Sequence, residues 1–153
     1  MANSYHKVII QAIFVVKFRQ ALIKPEWKNE FQGVIGNLIN EKECQTIIVN
    51  GVEDHVHCLF TLKPSLALTD LMKSVKSRSS KWLNQKAYLN TRFEWQPGCG
   101  YFSYSKSHMQ QVYRYISNQE EHHKKESFMD EYLKLLKNFE IDFEDEYLFH
   151  EPK

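Results

Sequence analysis

The sequence has little proline, glycine or cysteine, and it has no long hydrophobic run. Its 153 residues include four prolines and five glycines, which argues against a flexible or low-complexity segment. Charges interrupt the apolar stretches well before the roughly 20 residues that a membrane-spanning helix needs. The opening residues MANSYHK lack the apolar core of a signal peptide. We therefore expect a cytoplasmic protein with no membrane segment.

Cysteine is scarce, and its spacing argues against two common kinds of site. The three cysteines are Cys44, Cys58 and Cys99, an odd number without a CxxC pair. Neither a structural zinc site nor a disulfide framework is indicated.

The length and the 42% hydrophobic content suit one compact domain, so we expect a single domain over residues 1–153.

The net charge is +1, but the charged residues are segregated along the chain. Residues 1–24 carry four basic residues and no acid, and residues 63–86 carry six basic residues against one acid. An acidic tail over about 140–153 has six acids and one lysine. A basic body is compatible with a polyanionic partner, although a merely solvated surface has the same composition. The tail is expected either to screen this basic body or to cap a dimer surface.

Hydrophobic alternation with a period of two predicts four strands. Their approximate ranges are 6–18, 44–50, 54–63 and 100–104. The first has one face that is entirely apolar, which predicts a central strand. Asn50 and Gly51 form the expected turn between the second strand and the third, because Asn-Gly is a strong hairpin signal.

Apolar residues three and four apart predict four helices. Their approximate ranges are 24–43, 66–86, 108–125 and 128–139. Pro25 suits the first turn of the first helix, and Ser105 or Ser107 can cap the third. The order β-α-β-β-α-β followed by helices predicts an α+β fold, with a ferredoxin-like or RRM-like antiparallel sheet flanked by helices.

Two histidines lie two residues apart in the stretch EDHVHCLF of the third predicted strand. Alternate residues of a strand share a face, so His55 and His57 project together while Val56 and Cys58 project to the other side. Neutral imidazole is a good ligand for divalent metals, but two histidines leave a site incomplete. Ordinary half-buried histidines often have this spacing, so the metal hypothesis needs a further ligand from elsewhere.

Candidates for that ligand lie in QVYRYISNQEEHH, residues 111–123, which is helical by pattern. Tyr115 and Gln119 are four residues apart and share a helix face, so a hydroxyl and an amide oxygen point to one place. Tyr113 is a rival tyrosine, and His122 and His123 are rival ligands. The residues alone leave these alternatives open.

Over nearly its whole length the sequence resembles the single-tyrosine HUH transposases of bacterial insertion sequences, the insertion sequence 200-like group. The stretches VVKFRQALI, NGVEDHVHCLF, FEWQPGCGYFSYSKS and YISNQEEHH carry the resemblance. It implies that His55 and His57 bind a catalytic divalent metal, magnesium or manganese, with Gln119 as the third ligand. It makes Tyr115, on a C-terminal helix, the nucleophile, and the spacing to Gln119 disfavours Tyr113.

The resemblance also implies a reaction and its partners. The expected enzyme is a DNA transposase that cleaves and rejoins single-stranded DNA at hairpin-bearing element ends, through a 5′-phosphotyrosine and without a nucleotide cofactor. The expected assembly is a homodimer in which the tyrosine helix of one chain completes the metal site of the other. Asp54 precedes the histidines and is a candidate to orient one imidazole, as carboxylates commonly do.

DNA binding is expected on the polar face of the helix over 66–86 and on the basic first 24 residues, because lysine and arginine make most phosphate contacts. The candidates on that helix are Lys73, Lys76, Arg78 and Lys81. Trp95, Tyr101 and Phe102 have the chemistry to stack on unpaired bases, but core packing explains them equally well, and no role is assigned to them.

Three alternatives remain open. A domesticated HUH endonuclease acting on repeated genomic hairpins has the same chemistry. A non-catalytic nucleic-acid-binding module on a ferredoxin-like sheet has no need of Tyr115. A hydrolase with zinc held by His55, His57 and His122 uses a metal-bound water and forms no covalent adduct.

Overall fold

A computed structural model of the protein describes residues 4–144 and Leu148. Its four strands are β1 (Ile9–Val15), β2 (Gln45–Val52), β3 (His55–Thr61) and β4 (Gly100–Tyr104). They pair antiparallel in the order β2-β3-β1-β4. This order, with two of the helices placed as crossovers, confirms the α+β, ferredoxin-like prediction and the central position of the first strand.

The helices are α1 (Pro25–Glu41), α2 (Leu68–Lys86), α3 (Met109–Ser117), α4 (Gln119–His122) and α5 (Phe128–Asn138). Within the described ranges, none of them is long and apolar enough to cross a membrane. Most of the predicted acidic tail lies outside the described residues, so its role stays a prediction.

The two faces of the sheet are covered by different helices. On one, the α1/α2 face, Ile10, Ala12 and Phe14 of β1 join the apolar sides of α1 and α2 in the large core. On the other, the α3/α5 face, residues of β1 and β3 pack against α3 and α5. Because side chains alternate along a strand, each central strand contributes to both faces.

The predicted Asn50-Gly51 turn is wrong. The strand β2 continues to Val52, and the turn falls three residues later at 53–54. Gly51 is paired with Val56 in the ladder, and a Cβ at this position would collide with the carbonyl oxygen of His55. The close approach of β3 therefore requires the glycine, and the turn does not.

The predicted helix over 108–125 is interrupted, so the prediction of one continuous helix is wrong. It begins with a 3₁₀ turn, Lys106–His108, and α3 ends at Ser117, before Asn118 separates it from α4. The side-chain amide of Asn50 donates hydrogen bonds to the carbonyl oxygens of Ile116, at 2.8 Å, and Ser117, at 3.3 Å. This bond from β2 satisfies carbonyls at the helix end and fixes where α3 stops.

The two serines expected to cap this helix do not cap it. The Ser105 hydroxyl instead bonds the side chains of Ser107, at 2.8 Å, and His108, at 2.8 Å. Farther on, Ser127 does cap α5, because its hydroxyl accepts a hydrogen bond from the backbone N–H of Asp130.

Candidate metal and tyrosine site

The two histidines of β3 lie on the α3/α5 face, as the strand spacing predicts. His55 and His57 are both 0% exposed, and their ring centroids are 5.3 Å apart. His57 is paired with Ile13 of the central strand, and His55 with Val15. The imidazoles are therefore part of a closed interior cluster between the sheet and the following helices.

The helix α3 brings Tyr115 to this cluster. Val112 and Ile116 of α3 pack against Ile9 and Leu59 of the sheet, which fixes the helix orientation. The Tyr115 ring then lies with its centroid 6.0 Å from that of His57. The rival Tyr113 is 43% exposed and has its side chain at the surface of the helix. The structure thus places the predicted tyrosine, Tyr115, beside the two histidines and leaves Tyr113 outside the cluster.

Gln119 reaches the same cluster from the first position of α4. Its side chain is fully buried, and its amide oxygen lies 3.2 Å from Nε2 of His55. Its amide N–H donates to Oε2 of Glu131 at 3.1 Å, and the Tyr115 hydroxyl also donates to that oxygen. Tyr115 and Gln119 therefore converge on one place even though the helix breaks between them.

Glu131 of α5 lies at the centre of the cluster, and the sequence reasoning missed it. The residue is 2% exposed, and its Oε1 accepts hydrogen bonds from Nε2 of His57 at 3.3 Å and of His123 at 3.2 Å. Burial alone would raise the pKa of this carboxyl, but the hydrogen bonds from His123 and His57 outweigh burial and hold the pKa below its usual range. The carboxylate is therefore ionised at neutral pH.

A sequence signal for Glu131 does exist. The residue falls three positions after Phe128 and next to Tyr132, on the face of α5 that the apolar spacing assigns to the core. An acid on a core-facing stripe must have a partner inside the protein, because an unpaired buried charge is costly. Glu131 can be identified from the sequence by searching for polar residues at positions that an apolar pattern assigns to the core.

A second polar layer lies behind His55. Asp54 Oδ1 is 2.8 Å from Nδ1 of His55, which is the contact expected of a residue that orients the ring. The other oxygen of Asp54 is 3.4 Å from Nε of Arg19, whose guanidinium lies over the Phe128 ring. Burial would raise the pKa of Asp54, but the His55 hydrogen bond and the Arg19 charge lower it overall.

A matching layer lies behind His57, and it was not predicted. Gln11 is the one polar residue of β1, IIQAIFV, and it is fully buried. Its amide nitrogen is 2.9 Å from Nδ1 of His57, and its amide oxygen accepts a hydrogen bond of 2.6 Å from Tyr104. Burial raises the pKa of Tyr104 to about 12, so this hydroxyl remains a donor. The β1 pattern contained the signal as a lone polar residue in an apolar strand.

The donor atoms of the cluster suit a divalent metal. His55, His57 and Gln119 offer two imidazole nitrogens and an amide oxygen, and His123 and Glu131 offer a further nitrogen and a carboxylate oxygen. One donor atom from each of the three histidines and from Glu131 can be chosen so that all four lie within 4.8 Å of one another. We call these four residues the His-Glu cluster.

His122, the other rival ligand, has a different environment. Its Nε2 is 2.9 Å from the Glu126 carboxylate and 3.4 Å from the Tyr115 hydroxyl. It is also 3.2 Å from Oε2 of Glu131, the oxygen that faces away from the other imidazoles. His122 therefore borders Tyr115 and one oxygen of Glu131, and it is not one of the four residues of the His-Glu cluster.

Tyr115 is held as a neutral phenol in this arrangement. Burial raises its pKa above the usual value, and the negative charge of Glu131 raises the pKa further. A phenol of this kind needs a proton acceptor or a nearby cation before its oxygen can act as a nucleophile. The Glu131 carboxylate is a proton acceptor beside the Tyr115 hydroxyl, and the donor atoms of the His-Glu cluster could hold a cation.

The four basic candidates for DNA binding lie on α2, and α2 covers the opposite face of the sheet. The structure therefore does not bring them to Tyr115. Lys76 donates to the backbone carbonyls of Gln96, at 2.7 Å, and Gly98, at 2.8 Å, and Arg78 is ion-paired with Glu41. The remaining two, Lys73 and Lys81, are exposed. A groove of about 630 Å³ between α2 and residues 92–101 is lined by Lys73.

Two of the three aromatic residues without an assigned role are core residues. Trp95 is 8% exposed and packs on Phe14 with ring centroids 4.6 Å apart. Phe102 is 2% exposed and packs with α5. Only Tyr101 of the three retains partial exposure, beside the groove.

Comparison with known proteins identifies a family and relatives with the same fold. The family model described as IS200-like transposases matches residues 4–119. The chain is 24% identical over 114 residues to ISDra2 transposase TnpA of Deinococcus radiodurans, and the match covers 70% of this chain and 80% of that protein.

Two solved structures share the fold. A putative transposase from Deinococcus radiodurans superposes with a TM-score of 0.64 at 18% identity, over 78% of this chain and 95% of that one. A REP-associated tyrosine transposase bound to a REP hairpin superposes with a TM-score of 0.55 at 12% identity, over 84% of this chain and 74% of that one.

The match over residues 4–119 covers well over half of the chain, and it includes both histidines of β3, Tyr115 and Gln119. The chain belongs to the IS200-like transposase family. Its general function is therefore that of a transposase. Residues after 119, which supply His123 and Glu131, lie beyond the matched segment.

Proposed function

We propose that this protein cleaves and rejoins single-stranded DNA, with Tyr115 as the nucleophile and with a divalent metal, magnesium or manganese, held by His55, His57 and Gln119. The supporting observation is that one chain places the Tyr115 hydroxyl in the same buried cluster as both histidines. Family membership supports the reaction class, and the geometry supports the choice of residues.

In the proposed reaction, the Tyr115 oxygen forms a bond to phosphorus while the bond from phosphorus to the 3′ oxygen breaks. The phenolic proton already points to Oε2 of Glu131, and the departing 3′ oxygen takes up one proton to leave as a hydroxyl. A bound divalent cation supplies charge stabilisation at the phosphate oxygens. The 5′-phosphotyrosine conserves the bond, so a second 3′ hydroxyl can reverse the step without a nucleotide cofactor.

The proposed substrate is DNA with a hairpin near the element end. The structural neighbour bound to a REP hairpin supports this class of substrate. On this chain, Lys73, Arg92 and Tyr101 border the groove beside α2, which offers positive charge and an aromatic ring for a DNA backbone and its bases. The groove lies on the α1/α2 face, so hairpin binding and cleavage would use different sides of the sheet.

The proposed assembly is a homodimer in which the tyrosine helix of one chain completes the metal site of the other. The geometry raises the question of whether Tyr115 acts with the histidines of its own chain or with those of its partner. Here Tyr115 lies beside the histidines of its own chain, so exchange of α3 between chains would require α3 to leave this position. Mixing the His57→Ala and Tyr115→Phe variants answers the question. If the sites are shared between chains, a mixed dimer contains one site with both His57 and Tyr115, and DNA cleavage is recovered. If each site lies within one chain, every site lacks one of the two residues, and cleavage is not recovered.

The test of the proposal is a covalent adduct. Purified protein is incubated with labelled single-stranded oligonucleotides from the DNA flanking its gene, with manganese, and separated on a denaturing gel. We expect a protease-sensitive shifted band that is lost in Tyr115→Phe, His57→Ala and chelator lanes and kept in the matched control Tyr113→Phe. Single-stranded DNA binding without any adduct would favour a non-catalytic binding module, and cleavage without an adduct would favour a zinc hydrolase.

A second candidate is a domesticated endonuclease of the same chemistry that acts on repeated genomic hairpins. The fold likeness to a REP-associated transposase favours it. The two candidates differ in substrate, so the adduct assay discriminates between them when repeated genomic hairpins and the DNA flanking the gene are compared as oligonucleotides.

A further inference from the structure

We propose that His123 and Glu131 are metal ligands together with His55 and His57, so that the segment after the family-matched region completes the metal site. This inference rests on the proposed function, since it concerns the metal of the same site. It changes the proposed ligand set by adding a third imidazole and a carboxylate. Gln119 then acts either as a further donor or as the residue that orients Glu131.

The spacing of the donor atoms carries the inference. Oε1 of Glu131 is 3.7 Å from Nε2 of His55, 3.3 Å from Nε2 of His57 and 3.2 Å from Nε2 of His123. Donors that share one ion at about 2.0–2.1 Å in a tetrahedral site are roughly 3.3 Å from each other. The single oxygen is therefore close to ligand spacing from three imidazole nitrogens, and the four donor atoms lie within 4.8 Å of one another.

The orientation of His123 supports the inference. Its Nδ1 donates to the backbone carbonyl oxygen of Glu126 at 2.9 Å, which directs Nε2 to the cluster. Its ring centroid is 4.7 Å from that of His55. A ligand histidine commonly has its second nitrogen held in this way, because the bond fixes the ring and its tautomer.

Each histidine of β3 also has a polar side chain at Nδ1. Asp54 holds Nδ1 of His55, and the Gln11 amide contacts Nδ1 of His57. Gln11 satisfies its neighbours in either amide orientation, because the Tyr104 hydroxyl can donate to its oxygen or accept from its nitrogen. With the amide oxygen towards His57, Nδ1 carries the proton and Nε2 is free to bind a metal.

Gln119 has an alternative role that the distances support. Its amide nitrogen donates to Oε2 of Glu131 at 3.1 Å, so it holds the carboxylate that would bind the metal through Oε1. An amide oxygen is a weaker ligand than a carboxylate for a divalent cation because it carries no charge. We therefore expect the loss of Glu131 to weaken metal binding more than the loss of Gln119.

The ligand set predicts metal preference. Three imidazoles favour manganese, cobalt and zinc over magnesium, which prefers oxygen ligands and retains its waters. We expect the metal-free full-length protein to bind Mn²⁺ at least about tenfold more tightly than Mg²⁺, measured by the electron paramagnetic resonance signal of free Mn²⁺ with Mg²⁺ as competitor. Cobalt provides a second readout through its visible absorption, which reports ligand number.

The decisive comparison is between neighbouring residues of one segment. We expect Glu131→Gln and His123→Ala to bind Mn²⁺ at least about tenfold more weakly than the wild type. The matched control Glu126→Gln should change the affinity by less than about threefold, since only the Glu126 backbone contacts His123. Thermal unfolding of each variant checks that it is folded, and Glu131→Asp replaces Glu131→Gln if the latter is not.

The outcomes separate this inference from the proposed function. Wild-type affinity in Glu131→Gln and His123→Ala, with loss of binding in Gln119→Ala, would overturn the inference and leave the family ligand set in place. The expected affinity losses in a protein that forms no DNA adduct would support the metal site and contradict the tyrosine chemistry. Absence of Mn²⁺ and Co²⁺ binding in the wild type would overturn both metal assignments.

Discussion

The two faces of the sheet are built from alternate residues of the same strands, yet they bury different chemistry. On the α1/α2 face, β3 contributes Val56, Cys58 and Phe60 to an apolar core. On the α3/α5 face, the same strand contributes His55 and His57 to a polar cluster that is equally buried. The difference shows how a rigid core can fix the position of a reactive site, since both depend on one strand pairing.

The comparison also separates stability from function. Apolar burial on the α1/α2 face favours folding directly, whereas buried polar groups on the α3/α5 face are tolerated only because each has a partner. Substitutions in the apolar core of the first face should therefore change the free energy of unfolding, and substitutions in the cluster on the second should change metal binding and DNA cleavage.

Phe14→Ala should have the largest effect on stability. Phe14 is fully buried and packs on Trp95, so removal of its ring should lower the free energy of unfolding by about 3–5 kcal/mol. Urea denaturation measures the change. The control Tyr5→Ala removes a ring that is 95% exposed and should stay within about 0.5 kcal/mol of the wild type. A loss below about 1 kcal/mol for Phe14→Ala would contradict the role of this face.

Metal binding should stabilise the protein through the α3/α5 face. At a Mn²⁺ concentration of one hundred times Kd, the free energy of unfolding should rise by about 2.7 kcal/mol, and a chelator should reverse the rise. His57→Ala should abolish this shift in thermal unfolding. His108→Ala, which removes an exposed histidine, should retain it. An identical response in both variants would mean that the ion binds elsewhere.

Gln11→Leu should show that the polar layer of β1 serves the cluster. The substitution preserves volume but removes the partner of both His57 and Tyr104, which should cost about 1–3 kcal/mol. It should also weaken Mn²⁺ binding about tenfold, because the His57 ring loses its orienting bond. Tyr104→Phe in the same background should have little additional effect. Additive losses in the double variant would show that the two residues act independently.

The smallest expected effects concern α2. In a plot of the logarithm of DNA affinity against the logarithm of salt concentration, Lys73→Ala should reduce the magnitude of the slope by about 1. The reason is that the substitution removes one phosphate contact. Lys76→Ala should act mainly on thermal stability, because Lys76 holds the carbonyls of Gln96 and Gly98. Fluorescence anisotropy with hairpin DNA at several salt concentrations checks both. An unchanged slope in Lys73→Ala would remove this lysine from the DNA interface.

Much of the fold was predictable because it depends on local patterns. The apolar alternation in β1 and the apolar spacing in α1, α2 and α5 reflect burial, and burial determines the element type. The boundaries were less predictable where distant contacts decide them. Gly51 is required by the backbone of β3, and α3 ends where the Asn50 side chain reaches its carbonyls. Neither contact can be derived from the local sequence.

The site was predictable only in part. The strand period places His55 and His57 on one face, and the resemblance selects Tyr115 and Gln119, whose metal and catalytic roles stay predictions. Glu131 and Gln11 are polar exceptions within apolar patterns, and their convergence on the histidines requires the three-dimensional packing of α5 and β1. His122 and His123 were equal rivals in sequence, and only the backbone turn after α4 distinguishes them.

Locating the covalent bond to DNA would test the assignment of Tyr115 as the nucleophile. The adduct formed with single-stranded oligonucleotide and manganese is digested with nuclease and protease, and mass spectrometry identifies the peptide and residue that retain the nucleotide. We expect a phosphodiester on Tyr115, within the peptide that follows Arg114. Nucleotide attached to Tyr113 or to any other residue, or DNA cleavage with no attached nucleotide, would contradict it.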